Sequence, residues 1–238
     1  MSGSRNPNLG IITLETGKEC RSWQQNLGRT KLKLTGERDA DWWTGLSPQE
    51  CPGFHPASGT LKSLPIFNFE NADREAVLSY FDNGWTLSEL LFSALNGEEG
   101  FYRPPYHELR HPLVFYYVHP AALYVNKLRV AGLIENGINS YFESLFETGV
   151  DEMSWDDMAK NTIAWPAIDE AHRYRKQVYE LVKNLILNHP DLAAPGSVNM
   201  EHPLWALLMG FEHERIHLET SSVLMRELPL HLLQKPQA

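Results

Sequence analysis

Four stretches between residues 71 and 229 carry apolar residues at three- and four-residue steps, each bounded by proline, glycine or a capping residue. That period marks one buried face of a helix. The third stretch is the cleanest: Ala171, Tyr174, Val178, Leu181, Val182 and Leu185 form one stripe, and His189-Pro190 ends it. In the first, Val77, Leu78, Phe81, Trp85 and Leu91 share a face, with Asn71 or Asp73 as cap and Asn96-Gly97 at the far end. Asn83-Gly84 is a weak spot inside it, where a break is expected to be easiest. The second runs from Leu113 to Ala131 and stops at Gly132, with Pro112 suited to its first turn. Pro120 either falls inside this helix or starts a second segment. Inside, it removes an N–H and frees the carbonyl of Tyr116, kinking the helix beside His119. The fourth opens at His202-Pro203, runs to Leu228 and is closed by Pro229. No strand pattern, repeat or low-complexity tract interrupts these segments. The predicted fold is all-α, a four-helix bundle whose long loops permit non-simple connectivity.

Residues 1–66 read differently. Glycines and prolines from Gly10 to Pro65 break any helical period. They predict an irregular N-terminal arm with short extended pieces, laid on a helical domain of residues 67–238 through Trp42, Trp43 and Phe54. Six acidic residues and no basic one between Glu143 and Asp157 predict a solvated acidic surface.

Composition narrows the function classes. At 42% hydrophobic, 238 residues can bury a sizeable core. A net charge of -9 and a pI near 5.6 argue against sequence-independent nucleic-acid binding. No apolar run approaches a membrane span, and the start MSGSRNPNLG has no signal-peptide pattern. The two cysteines, Cys20 and Cys51, are too few for a disulfide framework or a cysteine zinc site. The expected setting is the reducing cytoplasm.

The segment Phe211-Glu212-His213-Glu214-Arg215-Ile216-His217-Leu218-Glu219 carries the chemistry. His213 and His217 stand at i and i+4, so they project from one helical face and can meet one metal ion. Met209, Gly210, Ile216, Thr220 and Leu224 lie on or beside that face, the small and apolar side expected to face the core. The segment also fits H-E-x-x-H, the zinc protease helix, with Glu214 as would-be base. The extended protease pattern requires glycine at 220 and histidine at 223, where this chain has Thr220 and Val223. Glu214 is instead expected to orient His217 or Arg215, or to lie at the surface.

A third ligand must come from upstream: His55, His107, His111, His119, His172, His189 or His202. His172 lies between Glu170 and Arg173 and reads as solvated, whereas His189 and His202 sit at helix ends. His119 lies inside an apolar helix between Val118 and Pro120, where an imidazole needs a partner. It is the expected third ligand, with His111 as runner-up. Three histidines leave one open position on four-coordinate zinc or three on six-coordinate ferrous iron, and spacing does not choose between them.

The stretches YFDNGWTLSELLFSAL (80–95), FYRPPYHELRHPLVFYYVHPAALYVNKLRVAGL (101–133), YFESLFETGVDEMSWDDM (141–158) and MGFEHERIHLETSSVLMRELP (209–229) closely resemble the N-terminal domain of the ovothiol synthase (5-histidylcysteine sulfoxide synthase) family. WWTGLSP and CPGF in the arm resemble its longer members. The resemblance implies a DinB-like four-helix fold, shared with the ergothioneine sulfoxide synthases. It also implies non-haem Fe(2+) held by His119, His213 and His217. The implied reaction consumes cysteine, histidine and dioxygen and joins the cysteine sulfur to the imidazole ring as a sulfoxide. In that family a formylglycine-generating-enzyme-like domain follows and supplies much of the substrate pocket and a catalytic tyrosine. Residues 1–238 do not include it, so little turnover is expected from them alone. Two other readings stand beside this one: a non-catalytic DinB-like metal- or partner-binding module, and a DinB-like thiol transferase using another metal.

Overall fold

Asp73 opens the first long helix. Its carboxylate accepts a hydrogen bond from the backbone N–H of Ala76 (2.8 Å) and satisfies one of the donors a helix start leaves unpaired. The computed structural model describes residues 32–107, 110–147 and 163–236. Its helices are α1 (Arg74–Phe92), the short α2 (Glu99–Tyr102), α3 (Leu113–Val130), the short α4 (Ser140–Leu145), α5 (Ile168–Asn188) and α6 (Trp205–Met225). The four long ones pack together, α3 against both α5 and α6, and α1 against both as well. From Leu32 onward the chain is one compact unit. No described helix is long and apolar enough to cross a membrane.

Helix α3 is the central element. Every residue from Val114 to Ala122 is buried, and Tyr124, Val125 and Leu128 continue its burial. The helix runs unbroken through Pro120, so proline is internal and starts no second segment. Helix α6 lies antiparallel to α3. Tyr124 meets Gly210 and Phe211, Tyr116 meets His217, and Leu113 shares a cavity with Leu224.

Helix α1 also continues through Asn83-Gly84. The buried Asn83 amide donates to the carbonyls of Pro52 (2.7 Å) and Lys62 (2.9 Å), and its carbonyl accepts from Leu64 N–H (2.9 Å). Gly84 leaves room for the Arg215 guanidinium, 3.7 Å from where a Cβ would stand. The expected weak spot is therefore the place where arm and α6 dock. The arm holds a two-stranded hairpin, β1 (Phe54–His55) antiparallel to β2 (Thr60–Leu61), in register Phe54 to Leu61. Of the expected anchors, Trp42 is fully buried and donates from Nε1 to the carbonyl of Glu89 (3.2 Å), while Trp43 and Phe54 are half-buried.

One surface expectation holds at Glu147, which is exposed, but not at Glu143, and a second fails. Glu143 is buried, its carboxylate accepting from Ile138 N–H (2.6 Å) and Asn139 N–H (2.9 Å) with Arg129 at 3.5 Å. It braces the loop before α4 and is no part of a solvated surface. The rest of the acidic run, beyond Glu147, lies outside the described residues. His172 is buried as well: the arm covers it. Its Nε2 lies 2.9 Å from the carbonyl of Asp41 and therefore donates, so Nδ1 accepts from the Tyr117 hydroxyl at 2.9 Å. Burial lowers its pKa to about 4. The polar neighbours Glu170 and Arg173 point elsewhere around the helix, which is why reading along the sequence misplaced it.

Candidate metal centre

The antiparallel register of α3 and α6 brings His119 opposite His213 and His217. The three form a group able to hold a metal ion, with ligand atoms all within 4.8 Å of one another. His119 Nε2 and His217 Nε2 each lie 3.1 Å from His213 Nε2.

The tautomer of His119 is set from behind. Its Nδ1 lies 2.6 Å from the carbonyl of Phe146, an acceptor only, so Nδ1 carries the proton and Nε2 is a bare lone pair aimed at the other two rings. Protons alone cannot satisfy this arrangement. If His213 Nε2–H donates to His119, nothing is left for His217. If His213 Nε2 accepts from His217, two lone pairs face each other across 3.1 Å. One cation accepting all three lone pairs removes the conflict.

Electrostatics agree. Burial lowers the pKa of His213 to about 3, with His119 and Lys127 adding to the effect. Burial, then His213, His119 and Arg110, lowers that of His217 to about 2. His119 is lowered by burial against the opposing pull of the Phe146 carbonyl. All three imidazoles are therefore neutral at physiological pH, the form a metal requires. The Nδ1 atoms of His213 and His217 are buried without a hydrogen-bond partner among the described residues.

The expected apolar surroundings hold only in part. Leu224 and Gly210 are buried, but Met209 is 48% and Ile216 61% exposed. The histidine pair thus sits at the edge of the buried face, with His213 and His217 half-buried. Gly210 sets the helix separation, since a Cβ there would lie 2.3 Å from the Tyr124 ring.

Glu214 does not reach the histidines. It is buried and turned inward from the histidine edge of α6, accepting from the Tyr124 hydroxyl (3.1 Å) and lying 3.8 Å from Arg175. Arg175 is fully buried, stacks on Trp85 and Tyr117, and is shared with Glu89 at 3.9 Å. Glu214 therefore orients neither His217 nor Arg215 directly, and it is not placed as the base of a protease. Burial raises its pKa to about 7. Arg215 instead stacks 3.8 Å over Tyr80 and donates to Ser63 (2.6 Å), fastening the arm beside α6.

His111, the runner-up ligand, stays out of the group. Its ring packs 4.4 Å from Phe115, which in turn stacks 4.8 Å from His119. Of the other candidates, His189 caps the turn at Pro190–Leu192 and His202 lies 3.2 Å from Asp191. Sequence reading missed three groups: the Phe146 carbonyl, and the buried hydroxyls of Tyr116 and Ser221, one turn from His119 and His217 and without hydrogen-bond partners among the described residues. A backbone carbonyl leaves no trace in a sequence. Tyr116 and Ser221 were findable from their i−3 and i+4 spacing to the histidines. No known family model matches the chain, and no curated protein matches it.

Proposed function

We propose that this chain is the metal-binding domain of a non-haem iron, oxygen-dependent sulfoxide synthase that joins cysteine sulfur to the imidazole of histidine. The observation that supports it is the convergence of three neutral Nε2 atoms at 3.1 Å contacts from α3 and α6. The resemblance of residues 80–229 to the ovothiol synthase family supplies the reaction. His119, His213 and His217 would hold Fe(2+), the metal that the resemblance implies. Ferrous iron with only neutral ligands keeps its full charge and open positions, and so supplies thiolate binding and oxygen activation when bound. The chain's own part is positional. The Phe146 carbonyl holds the His119 tautomer, Gly210 holds α6 close to α3, and the Arg175–Glu214 contact holds the adjacent buried face of α6. A formylglycine-generating-enzyme-like partner domain completes the substrate pocket and brings the acid–base group, since positioning two substrates contributes a large share of rate.

The test is anaerobic loading of the full chain with ferrous iron. Cysteine, histidine and oxygen are then added, with and without the partner domain, and product is followed by mass spectrometry. Iron is expected to bind in both cases and sulfoxide to form only with the partner. Tight iron binding with no cysteine- and histidine-dependent oxygen uptake in either case would favour the non-catalytic DinB-like module.

A further inference from the structure

Beyond the metal centre, α3 and α6 part at the N-terminal end of α3 and leave a cavity of about 180 Å³ lined by Arg103, Tyr106, His111, Leu113, Leu224 and Glu227, among others. Pockets for drug-sized ligands run to roughly 300–1,000 Å³, so this one suits a molecule the size of a free amino acid. Its walls are mixed in a telling way. Arg103 offers a cation and Glu227 an anion, far apart in the sequence, while Leu113 and Leu224 supply an apolar floor. His111 is 8% exposed, and its Nε2 is buried with no hydrogen-bond partner among the described residues. Arg103 spends one donor on Glu99 (2.9 Å), an exposed pair that is readily exchanged, and keeps the rest of its fork.

We propose that this cavity binds the head group of a free α-amino acid, with Arg103 taking the carboxylate, Glu227 the ammonium, and His111 with the leucines the start of the side chain. Guanidinium and carboxylate forks match geometrically, and a carboxylate opposite an ammonium completes a charge-paired zwitterion site. The cavity stands two ring contacts from the metal ligand: His111 on Phe115, and Phe115 on His119. Of the two substrates of the proposed reaction, histidine is the longer, so it is the one assigned to a cavity set apart from the three histidines by Phe115. In naming histidine the inference rests on the proposed function; the zwitterion site itself does not.

The experiment is calorimetric titration of the full chain, in a metal chelator, with L-histidine, L-cysteine, N-acetyl-histidine and histidine amide. L-histidine is expected to bind, and both blocked derivatives to bind at least about tenfold more weakly, because a charged hydrogen-bond partner is lost. Arg103→Met and Glu227→Gln are each expected to weaken L-histidine by about tenfold as well. Both side chains lie at the surface, so melting and iron binding should match the parent and show that the variants are folded. Equal binding of blocked and free amino acids, parental affinity in both variants, or no binding of either amino acid would overturn the site. Preference for L-cysteine would keep the zwitterion site and overturn its assignment to histidine. Because the titration needs no metal, a failure of iron binding would count against the proposed function and leave this result readable.

Discussion

Replacing Gly210 by alanine sets two effects of known size against each other. In an exposed helix the change would stabilise by about 1 kcal/mol, because glycine is a poor helix former. Here the new Cβ would stand 2.3 and 2.4 Å from two ring carbons of Tyr124. That ring is fully buried among Phe81, Trp85 and Phe211, and its hydroxyl donates to Glu214 at 3.1 Å. It cannot swing aside without striking those rings and giving up its hydrogen bond. The helices must separate instead. Overpacking of this kind costs about 1–3 kcal/mol, and a lost hydrogen bond to a charged group adds about 1.5–3. The net expectation is destabilisation by about 1.5–5 kcal/mol. The strain falls one turn from His213, so the 3.1 Å contacts between α3 and α6 should open and iron affinity should drop as well. Urea denaturation gives the stability and anaerobic titration the affinity. A variant as stable as the parent, or more stable by the helix-propensity margin, would show that α3 and α6 do not depend on close approach at Gly210, and the account of how the site is held would be wrong.

Changing His119, His213 or His217 to alanine should each abolish tight iron binding while His111→Ala retains it, as read by anaerobic titration; a His119→Ala chain that binds like the parent removes the third ligand. Glu214→Gln should be mild, since burial already raises this carboxyl to about 7 and the amide keeps its shape. Arg175→Met, which leaves Glu89 buried without its cation, should cost about 3–5 kcal/mol in denaturant melts. Ordinary histidines lose metal as pH falls through about 6.5 because protons compete for the lone pair. With His213 and His217 lowered to about 3 and 2, and His119 lowered by burial as well, proton competition moves to lower pH, so affinity should fall less between pH 7.5 and 5.5 than at an exposed histidine site. A steep loss across that interval would contradict the burial of the pair.

The helices were legible because their signals are local. The 3.6-residue stripe of Ala171, Tyr174, Val178 and Val182, the Asp73 cap and Gly132, whose φ is +72°, each act within a turn or two of chain. The histidines at 213 and 217 were legible for the same reason, and His119 because an imidazole in an apolar helix needs a partner. What stayed hidden is tertiary. His172 reads as solvated until the arm lays the carbonyl of Asp41 and the ring of Trp42 against it. Ile216 reads as core until the helix is turned far enough to bury Glu214, which leaves Ile216 61% exposed.

That rotation of α6 has a physical cause, and it explains why Glu214 stands next to His213. A helix with leucines on most sides has no single preferred buried face. Leu207, Leu208, Phe211 and Leu224 are buried around α6 at several angles. The buried pair with Arg175 removes the ambiguity. Any other rotation strands a guanidinium that is already fixed by the Tyr117 carbonyl at 2.7 Å and by the Trp85 and Tyr117 rings. Such a pair contributes little net stability, because desolvation offsets the attraction, but it penalises wrong registers strongly. With Glu214 held inward, its neighbour His213 and, one turn on, His217 are turned toward the edge that faces His119. The carboxylate fixes the angular position of both histidines from the adjacent, buried face of the helix through its contacts with Tyr124 and Arg175.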